Sequence, residues 1–404
     1  MTSRIISFSD IVLSSVNAVG MGLSSYLSFE QTSYAPNPEF YRNIGYACTS
    51  VALLWGVRSG LSIFEFYSHS RNFLEKRLLK ENEAITPITV DDYALFHQFG
   101  NGYKNTLTYN AQAVNGRNPK GRSNNRLGLK YYDGNNLLTI GYFQRNGTGH
   151  FHLIPCEASL GKITDLAALL YQTSKSPVYI KKISQEQLDA LLPNPDFVAV
   201  DARNGWYETA PLEDDTYPER IIDLETTLGL LNLDCDVRRK HRRARREYSG
   251  RLGIEDYDPE KHSQDVLDIV KGFFGIQEER DMHFSLPEDY FNIINVKPVG
   301  VDYFSSLFYV DDRPAAFYFA ERAGETIHVY ANLALRDKFR FLSEFILIHL
   351  FQAAFEKGVK RANLGGSETK GLDTFKLKFK PVEQRQMHWL LYDPRIIRTA
   401  HSSI

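Results

Sequence analysis

The residues best placed to do chemistry lie between Asn363 and Pro381, which reads NLGGSETKGLDTFKLKFKP. Gly365 and Gly366 sit just ahead of a helix pattern, where the missing Cβ lets backbone approach a ligand. The N–H groups of the next helix's first turn suit an anionic group, and Ser367 follows the pair at that point. Glu368 offers a carboxylate that could hold an incoming amine or accept its proton, which requires a group titrating near the working pH. Its structural alternative is an acidic first-turn residue stabilised by the helix dipole. Lys376 and Lys378 fall on different helix faces, so at most one of them faces a cleft. Lys376 is the candidate for a phosphate, and Lys378 reads as surface.

Arg336 stands at a strand end, where its guanidinium suits a phosphate or carboxylate bidentately. A surface ion pair with Asp337 or Glu344 is the competing reading. Tyr330 lies on a strand expected to border the same cleft and could donate a proton to a leaving alkoxide. The chain holds 23 tyrosines, so packing is the alternative there. A second cationic group runs from Arg238 to Arg246, with seven Lys/Arg in nine residues. Such density is the footprint of phosphate binding, and Arg238, Arg239, Arg242, Arg243 and Arg246 are the candidate nucleic-acid contacts. The alternative is a solvated face paired with Asp234, Asp236, Glu247 and the acidic stretch Glu213 to Asp215. No aromatics interleave with the arginines, so base stacking is not indicated. His150 and His152 share a strand face, but no carboxylate or cysteine stands at matching spacing and no metal site is expected. The sequence has no Gly-x-Ser-x-Gly elbow, P-loop or dinucleotide fingerprint, and no cofactor is assigned.

The elements that must position these residues can be read from periodicity. Thr89 opens a short helix over Val90 to Phe99. Strands follow at Arg126 to Tyr132, Asn136 to Tyr142 and His150 to Ile154, with Asp133-Gly134 and Asn146-Gly147 as turn signals. Next come a helix from Leu160 to Thr173, a strand from Val178 to Lys182, and a helix opened by Ser184 and Gln187 in capping-box spacing. The second half repeats this plan. Helical signals cover Asp223 to Glu247 and Pro259 to Gly275, then strands occur at Tyr290 to Pro298, Ser305 to Val310, Ala315 to Glu321 and Thr326 to Leu335. A long helix from Phe339 to Lys357, closed by Gly358, leads to a strand at Val359 to Leu364. A helix from Leu372 to Phe379 and a strand from Gln386 to Tyr392 complete the chain. Two α+β halves of similar order indicate a structural duplication.

At 404 residues the chain calls for two or three domains. The expected division is a helical extension at 1–82, a first domain at 83–222, and a second at 223–404 that carries the basic linking helix. A net charge of −2 gives no global pull toward nucleic acid or anionic membrane, so such binding must be local. Three distant cysteines without metal spacing fit a reducing compartment, hence a cytoplasmic setting. Asp10 to Phe29 and Ile44 to Phe66 are apolar and rich in small residues, parted by a Pro-containing turn. They read as a helical hairpin that packs on the body or on a second copy in a homodimer. Membrane contact through residues 10–66 is the rival, although serine density and Arg58 oppose a span.

Strand, long helix, strand, then L-G-G-S-E…G-L…F-K-x-K-F…P resembles the C-terminal part of tandem GNAT proteins. The similar groups are the FemAB-like aminoacyltransferases and the catalytic domain of phosphatidylglycerol lysyltransferases. Leu364, Gly365, Ser367, Glu368, Leu372, Phe375, Lys376, Phe379 and Pro381 carry the resemblance. Arg238 to Arg246 resembles the basic helix that links the halves in that family. The resemblance implies an α+β fold: two GNAT-like mixed-sheet domains in tandem, with the N-terminal helical hairpin added. It also implies transfer of an aminoacyl group from aminoacyl-tRNA to an amine or hydroxyl on a lipid, peptide or small molecule. Lys376 would then meet the tRNA 3′ end, and Gly365, Gly366, Ser367 and Arg336 would bind substrate. An acetyl-CoA-dependent GNAT has Q/R-x-x-G-x-G/A at the strand-to-helix junction, so that small residues admit the pyrophosphate. Here the junction reads Arg336-Asp337-Lys338-Phe339-Arg340-Phe341, and the two phenylalanines stand where small residues are needed. The rivals are an acyl-CoA-dependent N-acyltransferase with a displaced phosphate site, and a non-catalytic GNAT-like binding protein.

Overall fold

The computed structural model describes residues 74–100, 102–110, 128–145, 148–200, 217–229, 233–278, 302–367 and 369–395. The helical hairpin expected within residues 10–66 lies outside them, as does the strand expected at 290–298. The chain divides into two units, Met1–Glu81 and Asn82–Ile404, and both sheets belong to the second. Among the described residues no helix is long and apolar enough to cross a membrane.

The first half runs β1 (Ile85–Pro87), α1 (Tyr93–Gln98), β2 (Leu129–Tyr132), β3 (Leu137–Arg145), β4 (Thr148–Glu157), α2 (Leu160–Ser174), β5 (Val178–Ile183), α3 (Gln185–Leu191) and β6 (Phe197–Val200). After β7 (Glu219–Asp223) come α4 (Leu224–Leu228), α5 (Cys235–Glu247), β8 (Leu252–Asp256), α6 (Pro259–Glu278), β9 (Tyr303–Val310), β10 (Arg313–Ala323) and β11 (Thr326–Ala334). The chain then forms α7 (Leu342–Glu356), β12 (Arg361–Asn363), α8 (Lys370–Leu377), β13 (Glu383–Arg385) and β14 (His388–Tyr392). Local chemistry explains several boundaries. Ser184 and Gln187 form the reciprocal capping box at the start of α3. Asp311 and Asp312 both take positive φ between β9 and β10, the mirror-image two-residue turn whose twist suits a hairpin.

These strands build two seven-stranded mixed sheets, ordered β1-β2-β3-β4-β5-β14-β6 and β13-β7-β12-β11-β10-β9-β8. Each holds one parallel pair among the described strands, β4–β5 and β11–β12, and a helix (α2 or α7) lies between the paired strands in sequence. The α+β duplication is therefore present, but its halves are not separate in the chain. β7 follows β6 yet sits in the second sheet between β12 and β13. β14 follows β13 yet sits in the first sheet between β5 and β6. Each half thus gives its last strand to the other's sheet. The expected boundary at 222/223 falls inside β7, because a strand's local pattern does not state which sheet it will join. Trp389, Leu390, Leu391 and Tyr392 are all buried, as a strand interior to a covered sheet requires.

The second sheet is covered on both faces. One face packs against α5 and α7 around Phe308, Tyr318, Ile327, Ile346 and Phe351. The other packs against α6 around Val266, Ile269, Val270, Phe317 and Phe319. In α5, Val237, His241, Ala244 and Tyr248 recur at helical spacing and are buried, with the His241 ring stacked on Phe345 at 5.5 Å. The basic helix therefore docks by its apolar stripe, and its arginines need not enter the core.

Leu390→Ala tests the exchanged strand, since the side chain is 0% exposed. The expected loss is about 2–4 kcal/mol of unfolding free energy, read from a denaturant midpoint. A loss under about 0.5 kcal/mol, the level of an ordinary surface change, would show that β14 does not complete the first sheet.

Candidate active site

The site begins where β11 and β12 part. Their parallel pairing covers only Thr326 to His328 opposite Arg361 to Asn363. Immediately beyond, the register of β11 with β10 slips so that Tyr330 is an extra residue between Val329 and Ala331, a bulge that bends the strand. The chain leaving β12 turns into Gly365–Ser367 and α8.

That turn is held from three sides. Asn363 accepts the Gly365 N–H on Oδ1 (2.8 Å) and donates from Nδ2 to Glu219 (2.9 Å). β7 and the residues just before it take up two further N–H groups: Leu364 donates to the Arg220 carbonyl (2.9 Å) and Ser367 to the Tyr217 carbonyl (3.3 Å). The buried Lys376 ammonium donates to the carbonyls of Gly365 (3.2 Å) and Gly366. Arg220 completes the frame with a bidentate bond to Asp373 on α8 (2.8 and 3.0 Å). Gly365 has φ +68°, and a Cβ there would lie 3.3 Å from the Tyr103 ring. Both the conformation and the close approach require glycine.

The sequence brings Gly365, Gly366, Ser367 and Lys376 together here, though Lys376 is engaged in bracing the turn. Glu368 lies outside the described residues. Of the four backbone N–H groups from Leu364 to Ser367, three are already donated. Gly366 N–H alone has no partner among the described residues. Beside it the Ser367 hydroxyl is fully buried and also has no hydrogen-bond partner among them. Arg336 reaches the same helix from the other strand. Its Nε donates to Ser343 Oγ (2.8 Å) and its guanidinium lies 5.7 Å from the Phe375 ring centroid. Glu344, one of the carboxylates considered as its partner, is paired with Lys240 (2.7 Å).

The start of α7, where a pyrophosphate would be held, is otherwise engaged. Phe341 caps the helix with φ +66° and no side-chain bond. Glu344 in the first turn is buried and takes Lys240 from α5 (2.7 Å). The anion at this helix start is the protein's own carboxylate.

Tyr330 is placed differently from expectation. Its hydroxyl meets Thr106 Oγ1, and burial together with the Glu321 charge holds it well above the usual tyrosine range. Thr106 and Tyr103 meet it from the first half and Phe319 (ring centroids 6.4 Å) from the second, so the bulge helps to join the two halves. Tyr103 packs beside it at 5.1 Å and donates to the Val329 carbonyl (3.4 Å), filling the space between the parting strands. Glu321, fully buried, accepts the N–H groups of Leu107 (3.0 Å) and Thr108 (2.9 Å) and meets His97 Nε2 (2.9 Å).

Reasoning from sequence missed the cations behind this plug. Lys182 is fully buried, 3.6 Å from Glu219 and 5.5 Å from the Tyr103 ring centroid. Burial lowers the Lys104 ammonium, opposed by Cys156, Glu157 and Glu219. The same interior pushes the Cys156 thiol up to about 12, which keeps it protonated and unreactive. The available signal was Lys181-Lys182 inside an apolar strand pattern.

On α5, Asp236 gathers Arg239 (2.6 Å), Lys240 (3.0 Å) and, from the C-cap of α8, Lys378 (3.0 Å). Lys378 is thus a tie between helices rather than a free surface cation. Arg238, Arg242, Arg243, Arg245 and Arg246 have no carboxylate partner among the described residues. Arg238 is half-buried, and the other four are exposed.

Residues 236–377 match the model of the acetyltransferase (GNAT) domain family. No curated protein matches the sequence. Among solved structures, a conserved protein of unknown function from Bacteroides thetaiotaomicron shares 14% identity, with 76% of this chain and 99% of that one covered and a TM-score of 0.57. FemX shares 12%, with 78% and 99% covered and a TM-score of 0.53. The C-terminal domain of a protein named lysylphosphatidylglycerol synthetase, from Agrobacterium fabrum, shares 12%, with 78% and 94% covered and a TM-score of 0.50. Likeness at these identities is likeness of fold. Residues 236–377 thus match a GNAT domain, and the chain shares its fold with FemX and with that C-terminal domain.

Gly365→Ala should cost about 1–3 kcal/mol in stability, through positive φ and contact with Tyr103. Combined with Tyr103→Ala in a double-mutant cycle, the contact part should be relieved, giving coupling on the order of 1 kcal/mol. Strictly additive losses would show that the close approach carries no energy.

Proposed function

We propose that the protein is an aminoacyltransferase, moving an aminoacyl group from aminoacyl-tRNA to an amine or hydroxyl acceptor on a lipid, peptide or small molecule. The observation that carries the reading is the buried Ser367 hydroxyl beside the Gly366 N–H, neither of which has a partner among the described residues. Attack by the acceptor on the ester carbonyl forms a tetrahedral oxyanion. Two donors fixed in advance stabilise such a charge without reorganising, often the largest catalytic contribution. Lys376 and Asn363 keep the turn in place, while Glu368 would take the proton of the attacking amine. Arg336 would hold a phosphate or carboxylate at the mouth.

The choice of donor rests on two supports. The resemblance to the FemAB-like and lysyltransferase groups favours aminoacyl-tRNA. The start of α7 disfavours acyl-CoA in its usual position, because Glu344, Lys240 and Phe341 occupy the helix end that a pyrophosphate needs. A tRNA donor also places the reaction in the cytoplasm, and a lipid acceptor would bring the protein to a membrane face.

The test is incubation of the full chain with pools of charged tRNA, following label into acceptors, for wild type and Ser367→Ala. Removal of a buried hydroxyl without a partner should leave stability unchanged or raised. Loss of an oxyanion donor should lower kcat by about 10²–10³-fold, with KM for tRNA nearly constant. Full activity in Ser367→Ala removes the serine from catalysis. Turnover with acyl-CoA and none with any aminoacyl-tRNA would sink the proposed donor.

A further inference from the structure

The C-terminal half of α5 does not stand alone. The Tyr248 hydroxyl donates to the Arg340 carbonyl (3.0 Å), and the Arg243 guanidinium lies 5.7 Å from the Phe341 ring centroid. These contacts lay the turn between β11 and α7 against α5. The turn adds exposed Lys338 and Arg340 to exposed Arg242, Arg243, Arg245 and Arg246, and none of the six is paired with a carboxylate among the described residues. Attraction to the helix's negative end accounts for cations in the last turn, such as Arg245 and Arg246. It does not account for Lys338 and Arg340, which belong to another segment. We propose that Arg242, Arg243 and Arg246 of α5 and Lys338 and Arg340 of the β11–α7 turn form one surface that binds the phosphate backbone of RNA. It joins the Arg336 end of the candidate active site, and as a path for the tRNA donor it rests on the function proposed above.

Chemistry separates RNA from an anionic membrane as the occupant. A helix that binds lipid keeps an apolar face for the acyl boundary. The apolar face of α5, from Val237 to Tyr248, is instead buried in the core. What remains outward is charge without an anchor, which suits a polyanion whose counterions are released on contact. The outward face of α5 carries no aromatic side chain, which fits contact to phosphates rather than to stacked bases.

The experiment measures binding of uncharged tRNA to the full chain across a salt series, so that no transfer chemistry is needed. Wild type should show log K falling linearly with log salt. Lys338→Ala/Arg340→Ala should reduce that slope in magnitude by about 1–2, as should Arg242→Ala/Arg243→Ala, each with unchanged thermal unfolding. Lys360→Ala, an exposed cation paired with Glu325, is the control that should leave the slope as it was. A slope unmoved by Lys338→Ala/Arg340→Ala overturns the shared surface. Phosphatidylglycerol vesicles bound as tightly as tRNA, and weakened by the same substitutions, would overturn RNA as the occupant. RNA binding with the expected slopes but no aminoacyl transfer would remove the enzymatic reading and keep the surface.

Discussion

The exchange of β7 and β14 is the constraint on which the rest of the structure depends. A strand interior to a sheet must satisfy its backbone groups on both edges and bury both faces. β14 takes partners from β5 and β6, and β7 from β12 and β13. Neither sheet is therefore complete with its own half of the chain. The join is a pair of ladders, not a linker, and the two halves are expected to unfold together. Glu321, reaching across to Leu107 and Thr108, reinforces the join with a fully buried carboxylate that would be costly to leave without its donors.

The same exchange builds the candidate site. β7 belongs to the first half by position, yet it shapes the turn that follows β12. Through their carbonyls, Arg220 and Tyr217 fix Leu364 and Ser367; through its guanidinium, Arg220 fixes α8; and Glu219 orients Asn363, which in turn holds Gly365. With those groups taken, the Gly366 N–H and the Ser367 hydroxyl are left without a partner among the described residues. Its rigidity comes from buried bonds made by a strand that is distant in sequence. Tyr103 adds a side wall from the first half where β11 and β12 diverge.

Local chemistry was legible in the sequence where one segment decides the outcome. The capping box at Ser184, the turn at Asp311–Asp312, the glycine pair, and the strand–long helix–strand order through α7 each depend on residues close in the chain. The apolar stripe of α5 was there to be read too, in Val237, His241, Ala244 and Tyr248. What could not be read was which distant partner each side chain would meet. Lys376 and Tyr330 carried the right groups for substrate contact, yet Lys376 braces the Gly365 and Gly366 carbonyls and Tyr330 bonds Thr106. Glu219 and Arg220 gave no local sign, because their roles exist only after the strands are exchanged. Lys182 does have an unusual backbone: it takes φ +57° where β5 slips register against β14, a bulge visible only once the partner strand is known.

Charge at the start of α7 connects these points to donor choice. Glu344 is paired with Lys240, Lys240 with Asp236, and Asp236 with Lys378 at the C-cap of α8. This chain of ions spans three helices and engages Arg239 and Lys240 in the N-terminal half of the basic helix. An incoming pyrophosphate would have to displace Glu344 from a helix end it already stabilises, and leave that buried carboxylate facing a like charge. The same chain stops short of Arg242, Arg243 and Arg246. Positive charge is thus withdrawn from the position where a small coenzyme would bind, and left outward where an extended polyanion can reach it. That division favours a macromolecular donor over a nucleotide coenzyme, and it follows from where Asp236 and Glu344 sit.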